Sequence, residues 1–215
     1  GSIYALIALG YTMVYGILQL INFAHSDVYM VGAFCAYYVA SIFGLQNQPG
    51  ITTLVALLFA AMLGCSILGF LIERLAYRPL RNAPKLNILI TAIGVSLFLE
   101  YTGQVVFGAD PKVFPKVLDD FVLFDIAGVH LKSLDVAVLL VTVIMMLILN
   151  FLIYKTKIGR AMRAVSQNMS VAALMGVNTD RIISFTFVVG SSLAGVGSVL
   201  VGMKYPKIDP LMGMM

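Results

Sequence analysis

The chain is short of charge and of most side chains that soluble enzymes use. Asp, Glu, Lys and Arg together make up 11% of 215 residues, against about 25% in soluble globular domains. There is no tryptophan, and there are two cysteines and two histidines. Each shortage closes a class of function. With 60% hydrophobic residues and a mean hydropathy of +0.98, a water-soluble fold would lack the polar residues to cover its surface, and disorder, which needs low hydrophobicity, is excluded as well. A net charge of +4, scattered over short segments between long apolar ones, does not make the basic face of a nucleic-acid reader. Cys35 and Cys65 stand inside apolar runs and read as small buried hydrophobes, not as a disulfide or metal site. His25 and His130 lie too far apart for a local metal motif. No G-x-x-x-x-G-K-[ST] loop is present to cradle nucleotide phosphates, and no nucleophile elbow surrounds a serine or cysteine. Catalytic residues, cofactors and metals are therefore not expected. The composition describes an integral membrane protein.

Six runs locate the membrane-crossing segments: Ile3–Ile21, Val28–Gly44, Ile51–Ile72, Leu86–Ala109 with Glu100 inside it, Val136–Tyr154 and Ile182–Met203. A helix needs about 20 residues to cross a ~30 Å hydrocarbon core. Val28–Gly44 is marginal by this measure and fits a short, tilted or re-entrant segment. Strands of a membrane barrel would alternate polar and apolar residues, which Val138–Leu149 does not do. The expected fold is all-α: one polytopic transmembrane helical bundle over residues 1–215, with about six spans.

Charge supplies orientation. Glu73–Asn87 carries Arg74, Arg78, Arg81 and Lys85, and Lys155–Arg181 carries Lys155, Lys157, Arg160, Arg163 and Arg181. The positive-inside tendency puts both in the cytoplasm and the loop 110–135 outside. Counting back makes Asn22–Asp27 a cytoplasmic turn, provided Val28–Gly44 crosses fully. In the loop, Phe121–Asp125 and Val129–Lys132 flank Ile126-Ala-Gly128 as a small hairpin. Its acids Asp119, Asp120 and Asp125 are open to solvent or to an extracytoplasmic partner.

Small residues recur every four positions in three runs: Gly190, Ala194, Ser198 and Gly202; Ala56, Ala60 and Gly64, with Ala61, Cys65 and Gly69 alongside; and Ala8, Thr12 and Gly16. Such stripes let helix backbones approach closely in lipid. The first and last runs also share a layout, each passing into a broken polar stretch, INFAHSD and KYPKIDP. Broken pairs of this kind can mark an internal repeat.

Polar residues near the membrane are the candidates for a translocation path. Asn22, His25 and Asp27 join two apolar runs within six residues. They suit either a helix–helix turn, with Ser26 or Asp27 capping a helix from Val28, or a discontinuous helix lining a path. Glu100 falls in the outer third of its run, where it needs a partner or an exit to headgroups. In the segment 156–181, Gly159 is expected to break the preceding helix. Met162, Val165, Met169 and Ala172 then form a stripe at helical period, Arg160 and Arg163 open the segment, and Gly176 caps it. One amphipathic cytoplasmic helix follows, suited to lying on membrane lipid or entering a groove on a soluble partner.

The stretch from Tyr4 to Gly16, continuing through Ile21-Asn-Phe-Ala-His-Ser-Asp-Val-Tyr-Met-Val-Gly32, resembles the opening of LivH-type permeases of branched-chain amino-acid ABC transporters. Leu86–Gly94, Phe107–Pro111, Arg163–Asn168, Ala172–Gly176 and Tyr205–Gly213 resemble the same family in the same order. The resemblance implies a multi-pass subunit of the bacterial inner membrane. Its implied partners are a second permease, two cytoplasmic ATPases and a periplasmic binding protein that delivers leucine, isoleucine or valine. It implies coupling to the ATPases through Arg160, Arg163, Met169, Ala172 and Gly176. Ser170–Gly176 is a degenerate match to the coupling motif E-A-A-x-x-x-G, since Ser170 and Val171 replace its first two residues. Ser26 stands where the family usually has glycine. The chain starts at Gly1 and closes on Leu211-Met-Gly-Met-Met, which suggests a fragment lacking C-terminal spans. A urea or short-amide importer is the related alternative. An ion-coupled carrier working through Glu100 and a membrane-embedded enzyme using His25 and Asp27 are the unrelated ones.

Overall fold

The computed structural model describes residues 2–18, 22–81, 83–118, 121–126 and 129–214. It is a helical bundle. In chain order the helices are α1 (Ser2–Leu18), α2 (His25–Ile42), α3 (Ile51–Ile72), α4 (Lys85–Phe107), α5 (Ser133–Lys155), α6 (Lys157–Gln167), α7 (Met169–Leu174) and α8 (Thr179–Lys204). Four stretches are long and apolar enough to cross a membrane: Ile51–Leu80, Leu86–Phe107, Ser133–Lys155 and Thr179–Lys204. The first of these is α3 prolonged by a π-turn, Glu73–Tyr77, and a 3-10 turn, Arg78–Leu80. The expectation of about six spans is thus met for four; α1 is shorter, and α2 starts inside the bundle.

α8 is the central helix. It packs against α1, α2 and α3, and its small residues Gly190, Ala194, Ser198 and Gly202 are all buried. A Cβ on Gly195 would sit 2.6 Å from the Ala61 carbonyl oxygen of α3, and one on Gly32 of α2 would sit 2.6 Å from Ser198 Oγ. Ala61, Cys65 and Gly69 are buried on the α3 side. Cys65 donates from Sγ to the Val28 carbonyl at 3.2 Å, so both cysteines remain free thiols within the packing. By contrast α4 and α5 leave most of their apolar side chains uncovered by this chain, Phe98, Val105, Leu147 and Phe151 among them.

The small-residue stripe expected in α1 is not an interface here. Ala8, Thr12 and Gly16 are exposed, and the buried face is Ile3, Leu6, Gly10, Val14 and Ile17. Bulk on that face is accommodated because Gly10 and Gly190 give way at the crossing of α1 and α8. The rule that selects small residues is the backbone approach at one point, and Gly10 meets it without belonging to a stripe.

The two ends of the bundle differ. One carries Glu73–Arg81, α6 and α7, and is called the basic end. The other carries two small antiparallel ladders: β1 (Lys112–Val113) with β4 (Lys207–Ile208), and β2 (Val122–Ile126) with β3 (Val129–Lys132). The second ladder is the expected hairpin; Asp125 lies opposite His130, while Asp119, Asp120 and Gly128 fall outside the described residues. Lys112 ties this end to α2, donating to Tyr38 Oη at 2.7 Å, and Lys204 pairs with Asp135 at 2.8 Å.

A paired substitution checks the packing. A Cβ at Gly10 would lie 2.8 Å from the Gly190 carbonyl oxygen, whereas one at Gly16 meets nothing within 4 Å. Gly10→Ala is expected to destabilise by about 1–3 kcal/mol. Gly16→Ala should be neutral or stabilise by up to about 1 kcal/mol. Thermal unfolding of the detergent-solubilised protein should therefore move in opposite directions, or only downward for Gly10→Ala.

Candidate functional site: a helix start inside the bundle

The chain leaves α1 at Leu18 near the basic end, yet α2 begins well inside. Two helices serve as rulers. Asp27 accepts a hydrogen bond from Ser96 Oγ at 2.5 Å, and Ser96 is eleven residues into α4. His25 shares its level with Gly10 and Gly190, and Gly190 is eleven residues into α8. At 1.5 Å per residue both give about 16 Å from the basic end. The turn before α2 is therefore neither solvated nor at the bundle's edge. Asn22, His25 and Asp27 are 5%, 4% and 2% exposed. The described residues show two separate helices, with a turn at Phe23–Ala24 ahead of an α2 that starts inside the bundle. Gln19 and Ile21 lie outside the described residues.

Each polar side chain has a distinct setting. Asn22 Oδ1 accepts from Tyr77 Oη at 2.9 Å, which links the turn to the π-turn after α3. His25 packs edge-on against Tyr11 and bonds the backbone of Ile7; its Nε2 is buried without a hydrogen-bond partner among the described residues. The expected cap by Ser26 or Asp27 is not formed. α2 starts at His25, three residues earlier than expected, and its N-cap position, Ala24, supplies no side-chain cap. Asp27 lies in the first turn, directed to α4 instead, while Ser26 Oγ bonds back to the Phe23 carbonyl. An acid in the first turn favours the positive helix end.

Glu100 follows Ser96 by one turn on α4 and is 8% exposed. It lies close enough to Asp27 for the two carboxylates to interact. Neither has an ion pair among the described residues. Asp27 is thus tied to α4 through Ser96, one turn before Glu100 on that helix.

The second broken stretch comes to the same place. After α8 the chain turns at Tyr205, pairs β4 with β1, and folds back so that Met212–Met214 packs on α2. A Cβ on Gly213 would lie 2.9 Å from the Ser26 carbonyl oxygen and 3.3 Å from Asp27 Oδ1. Beside this crossing is a cavity of about 450 Å³ lined by Tyr4, Ile7, Ser26, Tyr29, Tyr205, Lys207 and Met212 among others. Its walls are mainly apolar, with hydroxyls and one ammonium at the edge. That is the character of a small-molecule site, a concave apolar surface with a few polar groups.

At the basic end the segment 156–181 forms two helices, not one. Asn168 is extended, and its side chain accepts from Val171 N at 3.0 Å, which starts α7 afresh. Asparagine favours such capping over helix interior. Met162, Val165 and Ala172 are buried against the bundle, but Met169 is exposed, as are Arg160 and Arg163. The stripe therefore docks on this chain's own helices. What α7 turns outward is Met169, Val171, Leu174 and Met175, the last two 87% and 80% exposed. Gly176 does cap the segment, at φ +83. Gly159 does not break the preceding helix: Thr156 does, and its Oγ1 accepts from Gly159 N at 3.0 Å.

Sequence reasoning missed three contributors. Ser96 looked like an ordinary span residue, Tyr77 like a neutral member of a basic loop, and Glu73 like one more charge in that loop. Glu73 is fully buried and is held by Arg81 and by Ser184 Oγ. An acid beginning a basic connection was the signal available for it.

The comparisons with known proteins place the sequence in one family. The family described as branched-chain amino acid transport system / permease component matches residues 1–215. The high-affinity branched-chain amino acid transport system permease protein BraD of Pseudomonas aeruginosa is 39% identical over 99% of this chain and 71% of its own length. LivH of Escherichia coli is 38% identical over 100% of this chain and 71% of its own. A probable LivH of Methanocaldococcus jannaschii is 31% identical over 93% and 62%. No solved structure matches the chain. With its whole described length matched by the family, the chain belongs to the permease components of the branched-chain amino acid transport system.

Proposed function

We propose that the chain is the membrane-spanning subunit of an ATP-driven importer that carries leucine, isoleucine or valine across the bacterial inner membrane into the cytoplasm. The observation that carries this reading is the interior start of α2, where Asp27 lies buried with no ion pair among the described residues, beside Ser26 and Gly213, which line a largely apolar cavity. A branched-chain amino acid brings an ammonium group for the carboxylates and an aliphatic side chain for the cavity wall. Urea and simple amides carry no such charge, so the acids favour an amino acid over that alternative. Asn22 and His25 line the same interruption as path residues, and helices rocking on the glycine contacts of α8 would alternate its access.

The remaining assignments extend the family placement. The basic end faces the cytoplasm, and α1 with α2 adds to the four long spans to make about six. Two ATPases bind at that end, with the exposed apolar face of α7 entering a groove on one of them. A second permease covers the uncovered helices, and a periplasmic binding protein docks at the hairpin end. Membrane lipid surrounds the rest. Proton coupling through Glu100 is the competing mechanism.

Reconstitution with these partners tests the reading. Labelled leucine should accumulate with ATP, labelled urea should not, and collapse of the proton gradient at constant ATP should leave uptake intact. Asp27→Asn, in protein that inserts and assembles normally, should lower leucine uptake about tenfold or more, the scale of one charge-assisted hydrogen bond. Unchanged uptake in that variant removes Asp27 from the path. On the basic end, Leu174→Glu should reduce ATP-dependent uptake at least about tenfold, as loss of a central interface anchor does, while thermal stability of the isolated subunit is kept.

A further inference from the structure

A partly buried ionic cluster at the basic end belongs neither to the cavity nor to the exposed face of α7. Glu73 opens the π-turn after α3 and is 0% exposed. Its two oxygens accept from Arg81 and from Ser184 Oγ, the latter at 2.5 Å. Asp180, in the first turn of α8, accepts from Arg81 as well and from Arg78 at 2.8 Å. Arg81 is 14% exposed on its side chain and stands between the two carboxylates. Two acids and two bases balance, and Asp180 and Ser184 lie one turn apart on the same face of α8. The cluster therefore joins the end of α3 to the first two turns of α8.

Its place along the chain gives this joint a use. α7 ends at Leu174, Gly176 adopts φ +83, and Asn178 caps α8 by accepting from Arg181 N. Only a short link separates the outward face of α7 from Asp180. A displacement of α7 would enter α8 at the clasped turn, and α8 is the helix that contacts α1, α2 and α3 around the interior site. A buried ion pair adds little net stability compared with apolar packing. It does fix geometry, and Arg81 keeps Nε buried without a partner among the described residues, a cost that packing alone does not repay.

We propose that Arg81, held between Glu73 and Asp180, is a positioning residue that makes the end of α3 and the start of α8 move as one body, so that motion of α7 reaches the interior site. The proposal rests on the reading of the chain as an ATP-driven permease. The experiment uses the assembled transporter in proteoliposomes and measures leucine taken up per ATP hydrolysed. Arg81→Lys keeps one charge but loses the two-sided grip, and Glu73→Gln keeps the shape but loses the pairing charge. Both should assemble, hydrolyse ATP within about twofold of wild type, and take up leucine at least about tenfold less per ATP. Spin labels at the exposed positions Leu75 and Arg181 should give one narrow distance in wild type and a broadened one in either variant. An unchanged ratio of uptake to hydrolysis overturns the proposal, as does an equal loss of both activities with an unbroadened distance. If wild-type uptake itself proves independent of ATP, the functional reading fails, and the spin-label distances still decide whether the clasp exists.

Discussion

The closeness of backbones along α8 is the constraint on which the rest of this structure depends. In lipid no water is squeezed from between apolar helices, so association rests on contact itself and on interhelical hydrogen bonds. Gly10 against Gly190, Gly195 against Ala61, and Gly32 against Ser198 set three crossings at backbone range. With α8 thus surrounded by α1, α2 and α3, the interior is dry enough to hold an interrupted helix. Without those crossings the turn before α2 would open to lipid, and its polar groups would be left without partners.

The interruption follows from that enclosure. Asn22, His25 and Asp27 are tolerable at depth because Tyr77, the backbone of Ile7 and Ser96 meet them. The partners come from the π-turn after α3, from α1 and from α4. Three separate elements thus hold one short turn, and the segment after α8 closes over it through Gly213. The acids have no ion pair among the described residues, an arrangement that suits a visiting positive group. A zwitterionic substrate with an aliphatic tail is the visitor that suits both the acids and the cavity wall.

The basic end is built differently. α6 spends its apolar face on the bundle, and α7, restarted by Asn168, offers its own outward. Beneath them the carboxylates of Glu73 and Asp180 hold two arginines that a positive-inside count reads only as topology. The same residues that suggest orientation in the sequence form ion pairs between the end of α3 and the start of α8 in the fold.

Much of this was legible from composition and spacing. Long uncharged runs without the alternation of barrel strands required helices, because in a bilayer only helices and closed barrels satisfy the backbone, and the stripe in α8 announced its tight contacts. The hairpin and the Gly176 cap were visible too, whereas the shared layout of the two broken stretches did not say that they would meet. Periodicity failed at Met169 and Gly159, where Asn168 and Thr156 captured backbone N–H groups and divided one expected helix. It failed again at Ala8, Thr12 and Gly16, because small size permits approach without saying from which side. Sequence by itself determined which segments leave water, since transfer energy is a local sum over residues. Tertiary structure alone decided that α2 begins inside the bundle, that Asp27 meets Ser96, and that Glu73 is buried against Arg81 and Ser184. Those are distances between elements far apart in the chain, and hydropathy contains no information about which face turns to which neighbour.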